Sequence, residues 1–190
     1  MTRVEPLDQS RALAEQARQA LAILLEGFGR EAATLDSEHL LLGLVHAVVR
    51  LRFLLLAEDQ QCAPWRRPDD LSLRALHRSL KEGAAELDRR HQAWPAICRL
   101  FRSVREHGCA GPLFIAAQQA RLFDPDAFPF LEGRARAGTS AAQTLDDETV
   151  LRLLDALTHL DGQPLDHASV GLEQLGSAYE TLLSSNRRRR

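Results

Sequence analysis

The chain is short of the features that would mark a secreted scaffold, a membrane span or a polyanion-binding protein. Its cysteines, Cys62, Cys98 and Cys109, are odd in number, widely spaced and contain no CxxC pair. No secretory apolar segment accompanies them, so a disulfide framework is excluded and a reduced, cytoplasmic setting is expected. Lysine is almost missing: Lys81 is the only one, and the other basic residues are arginines, a bias that a GC-rich genome explains as well as function does. Neither sign of charge dominates. A net charge of −2 and a pI near 6.4 give no global attraction to nucleic acid or anionic lipid, and phosphate contacts would need a local excess of arginine. No apolar run is long and clean enough to span a bilayer. The best, Leu40 to Ala57, carries His46, Arg50 and Arg52 at what would be the membrane centre, where each arginine is costly. It reads as a buried helix, and no membrane partner is expected.

Sustained strand alternation and internal repeats are also missing. What is there is helical periodicity, in a chain of 190 residues, 45% hydrophobic and 26% charged, long enough to bury a core as one domain. Asp8 and Ser10 open a first helix on Leu13, Ala17, Ala20, Leu21, Leu24 and Leu25, stopped by Gly27 and Gly29. Asp36 or Ser37 caps a second, running to about Asp59 and apolar on most sides, as a central helix should be. After the Pro64 to Pro68 loop, Asp69 or Asp70 caps a third through Leu73, Leu76, Leu80 and Leu87, weakened at Gly83. Pro95 suits the first turn of a fourth, Ile97 to His107, with Gly108 as its stop. Turn signals at Asp124-Pro125 and Phe128-Pro129 mark an irregular stretch. Thr144 and Asp147 resemble a capping box for a fifth helix on Val150, Leu153, Leu154, Leu157 and Leu160. Ser169 caps a sixth on Leu172, Leu175, Tyr179 and Leu182.

The expected fold is therefore all-α, an irregular helical bundle with one long ordered loop. Residues 1–186 form a single domain: a bundle over 1–110, the loop over about 111–143, and a C-terminal helix pair over 144–186. A basic tail, 187–190, follows. The loop should be anchored to the core by Phe123, Phe128 and Phe130, each of which can bury apolar surface worth roughly 1.5–3 kcal/mol.

Four segments carry a family resemblance, in the family's order. They are Val49 to Asp59, an apolar helix ending in an acidic pair; Trp94-Pro95 through Leu100-Phe101 to Gly108; Leu122-Phe123-Asp124-Pro125 to Phe130-Leu131; and Gly171-Leu172-Glu173-Gln174-Leu175-Gly176-Ser177-Ala178-Tyr179-Glu180-Thr181-Leu182-Leu183. Together they resemble the helical connector of single-chain type II restriction-modification enzymes and of BREX- and DISARM-type DNA adenine methyltransferases. Ala120 and Arg121 stand where that family usually has glycines. The resemblance implies a helical scaffold between an N-terminal part, often a nuclease, and a methyltransferase domain. The expected function is a truncated or split part of a site-specific DNA adenine-N6 methyltransferase, inert alone, or else a stand-alone helical adaptor for a separately encoded methyltransferase or defence protein. Its implied partners are a methyltransferase domain or subunit and, through that complex, DNA. S-adenosylmethionine is the family's cofactor; none is expected in this chain.

The residues present support no chemistry of their own. Gly27-Phe28-Gly29 follows a helix, where a cofactor-binding turn would follow a strand. Asp124-Pro125-Asp126-Ala127 begins like the loop that holds a flipped adenine, but Asp126 replaces a proline and Ala127 cannot stack on a base. His39 and His46 could share a helix face, yet two ligands do not make a zinc site. Lys81-Glu82 has the wrong order for a nuclease triplet. Glu58 and Asp59, at a helix C-terminus that disfavours acids, call for Arg50, Arg66 or Arg67 as partners. Two interaction sites are expected: a partner-facing flank at Leu172, Leu175, Gly176, Tyr179 and Leu183, and a phosphate contact at Arg187, Arg188, Arg189 and Arg190.

Overall fold

Helical periodicity becomes five α-helices in the computed structural model, which describes residues 6–29, 35–60, 72–83, 85–109, 121–134, 145–160 and 163–165. They are α1 (Pro6–Gly27), α2 (Ser37–Asp59), α3 (Leu73–Glu82), α4 (Ala93–His107) and α5 (Asp147–Thr158). Single 3-10 turns cover Leu87–Arg89, Arg121–Phe123 and Pro129–Glu132. A two-residue antiparallel hairpin, β1 (His159–Leu160) with β2 (Gln163–Pro164), follows α5. The fold is all-α.

α2 is the central helix. Asp36 caps it, accepting from the N–H groups of Glu38 and His39 at 3.0 Å each, and Leu44, Val48, Leu51, Leu54 and Leu55 are all buried. By length and composition it could cross a membrane, but 78% of its most apolar window is buried inside the bundle. α1 packs against α2 and α5, burying Leu13, Ala17, Ala20 and Leu24. Leu25, expected on that stripe, is 47% exposed: it lies about 100° round the helix from Leu24. Ile23 and Phe28 are buried instead. Phe28 sits edge-on to Trp94 and Phe130, at 5.6 and 5.7 Å between ring centroids.

Helix boundaries differ from the sequence reading at the start of α1, which begins at Pro6 ahead of Asp8 and Ser10, and at both ends of α3 and α5. α3 is capped by Ser72, whose hydroxyl accepts from Ala75 N at 3.0 Å; Asp69 and Asp70 lie outside the described residues. Gly83 ends α3, so Leu87 packs from a separate 3-10 turn. α5 is capped by Asp146, accepting from Thr149 N at 2.6 Å, which frees Asp147 to act elsewhere. α5 also stops at Thr158, short of Leu160. Thr158 donates its hydroxyl back to Leu154 O at 2.7 Å, and its carbonyl accepts from Leu165 N at 2.8 Å. Gln16 of α1 donates to the carbonyls of Leu157 and His159, at 3.2 and 2.9 Å. The orphan carbonyls of this helix end are thus paired to a hairpin and to α1. α4 conforms: Pro95 lies in its first turn, and Gly108 ends it at φ 75°.

Candidate functional site

Among the described residues, a junction of polar and aromatic side chains joins α2, α4 and the 121–134 segment. Arg50 is 1% exposed. Its Nε donates to Leu122 O at 2.6 Å and its Nη2 to Asp124 O at 3.0 Å, while its guanidinium lies over the Phe101 ring at 5.4 Å. A buried cation without a hydrogen-bonded carboxylate is costly, and burial pushes this one below its ordinary pKa, opposed first by the nearby charge of Glu132. Two carbonyls and an aromatic face are what the fork-shaped guanidinium can hold and an ammonium cannot.

The segment is held at both ends. Phe123 is fully buried between Phe53 and Phe101, at centroid distances of 5.3 and 5.9 Å. Phe128 and Phe130 are also buried, so all three anchoring rings are where the sequence reading placed them. At the far end Leu131 O accepts from Trp94 Nε1 at 2.7 Å and from Cys98 Sγ at 3.3 Å. Asp124-Pro125-Asp126-Ala127 is a turn: Asp124 accepts from Asp126 N at 3.0 Å, and Arg134 pairs with Asp126 at 2.8 Å. His39 and His46 lie against Phe128 with their rings tilted to it, at centroid distances of 5.2 and 4.8 Å. No group of three or more metal-ligating side chains occurs among the described residues.

Behind this junction lies an interior polar cluster. The Glu132 side chain is 4% exposed, with Oε2 3.7 Å from Arg102 Nε and Oε1 unpaired. Burial raises its pKa, against the charges of Arg102, Arg134 and Arg50. Burial also pushes the Cys98 thiol up to about 12, so it stays protonated and donates to Leu131. His46 is lowered, by burial first and then by Arg50.

A second polar group joins α3 to α5. Asp155 Oδ1 meets His77 Nε2 at 2.7 Å and Lys81 Nζ at 2.8 Å. Burial raises the Asp155 carboxyl but is outweighed by those two hydrogen bonds, which leave it below its ordinary value. His77 is lowered, burial exceeding the pull of Asp155. Asp155 also lines a shallow groove of about 600 Å³ with Gln19, Glu26, Arg152 and His159. Arg152 is bound to Glu26 at 3.0 Å, so the groove offers no uncommitted charge.

The acids at the end of α2 have partners other than those expected. Asp59 pairs with Arg74 at 2.5 Å. Glu58 accepts from the N–H groups of Leu73 and Arg74, at 2.6 and 3.1 Å. Both acids thus serve the N-terminus of α3, where the dipole favours them. Arg50 points to the loop, and Arg66 and Arg67 lie outside the described residues. So do Leu172, Leu175, Gly176, Tyr179, Leu183 and Arg187 to Arg190. No family model matches the chain, and no curated protein or solved structure does. The described residues also do not fit S-adenosylmethionine. Its glycine-rich turn needs a strand feeding a helix, whereas the described strands are two residues long and follow α5, and Gly27 ends α1. Sequence reasoning singled out Arg50, Glu58 and Asp147 but missed their polar partners, which lie 15 to 74 residues away. A polar residue inside an apolar helical stretch was the available signal.

Proposed function

We propose that the chain is a non-catalytic helical connector of a DNA adenine methyltransferase, a scaffold that works with a methyltransferase domain or subunit. One observation carries this reading. Three of the four family-like segments, far apart in sequence, form a single interlocked unit. The Val49–Asp59 segment supplies Arg50 and Phe53, the Trp94–Gly108 segment supplies Trp94, Cys98 and Phe101, and the Leu122–Leu131 segment fills the space between them. Segments that belong to one motif set are expected to pack on one another, as these three do. An interlocked unit of this kind suits a spacer between domains.

Two measurements test the reading. Calorimetry of the purified chain with S-adenosylmethionine should show no binding; micromolar affinity would overturn the non-catalytic assignment. Co-expression with an adenine methyltransferase domain of the resembled family should give a stoichiometric complex that methylates adenine N6. Complex formation that leaves the partner's methylation unchanged favours the adaptor role, and failure to associate with any such domain refutes both.

A further inference from the structure

We draw no further inference here: the strongest candidate, the shallow groove between α1 and α5 lined by Gln19, Glu26, Arg152, Asp155 and His159, has both carboxylates already paired, Glu26 with Arg152 and Asp155 with His77 and Lys81 of α3, and nothing in the structure shows what would fill it.

Discussion

Arg50 and Arg52 show how much of this fold depends on single cations facing opposite ways from one helix. Arg50 holds the loop; Arg52, two residues on, donates to Leu13 O at 3.0 Å and Gln16 Oε1 at 2.6 Å in α1. Burial lowers Arg52 to about 10, still charged at neutral pH. Replacing Arg50 with Met leaves the carbonyls of Leu122 and Asp124 unpaired in the interior, and should cost about 3–5 kcal/mol in chemical denaturation. Arg50→Lys should recover only part, since one ammonium does not bridge both acceptors and stack on Phe101; full recovery would show that charge alone matters. The histidines set the acid limit. His46 and His77 both have folded pKa values below the unfolded value near 6.5. The unfolded chain therefore binds protons first as pH falls, so their contribution is complete above about 6.5 and is lost below it. The histidines' share should be lost between about pH 7 and pH 5, offset by Glu58 and Glu132, whose carboxyls, raised by burial, bind protons first in the folded chain. His46→Gln should make the melting temperature fall less, or rise more, over that window, and an unaltered profile would clear His46 of the effect.

α2 shows a second balance, in Gly43. Glycine in mid-helix normally loses about 0.5–1 kcal/mol against alanine. Here a Cβ would sit 2.5 Å from Phe130 Cζ and 2.9 Å from Phe128 Cδ1, and those rings anchor the loop. Overpacking of that kind costs about 1–3 kcal/mol, so Gly43→Ala should destabilise despite its better propensity; a raised melting temperature would mean the rings yield freely. The helices themselves were legible because hydrophobic spacing of 3.6 marks them: α2 and α4 lie where Asp36, Pro95 and Gly108 place them. Burial of the three loop phenylalanines was legible too, since nothing else in that stretch could hold it. What failed were local choices settled at a distance. Nothing near Ser72 or Asp146 reveals that Glu58 and Asp147 relieve neighbouring helix ends, and nothing near Leu160 reveals that Gln16 and Leu165 finish α5. The candidate site was less legible than the fold. Arg50 was read as an interruption in an apolar run, and its carbonyl partners, 72 and 74 residues on, leave no local pattern.

Across the molecule, one hydrophobic core draws side chains from all five helices and from the 121–134 segment. Unfolding should accordingly be a single cooperative transition, with far-UV and tryptophan signals coinciding because Trp94 is fully buried in that core; separated midpoints would divide the structure into independent units. Folding order follows from the buried carboxylate of Asp147. It accepts from Gln92 N at 2.8 Å and Ala93 N at 2.7 Å, where Gln92 provides no side-chain cap of its own. The first turn of α4 is therefore completed by a residue 54 positions later in the chain. A nascent α4 must wait, frayed at its start, until α5 arrives. Stopped-flow refolding of Asp147→Ala tells whether that arrival precedes the rate-limiting barrier: slower refolding places α4–α5 docking within the nucleus, and faster unfolding alone places it afterwards. The long separation favours the second order, in which this carboxylate acts as the clasp closed last.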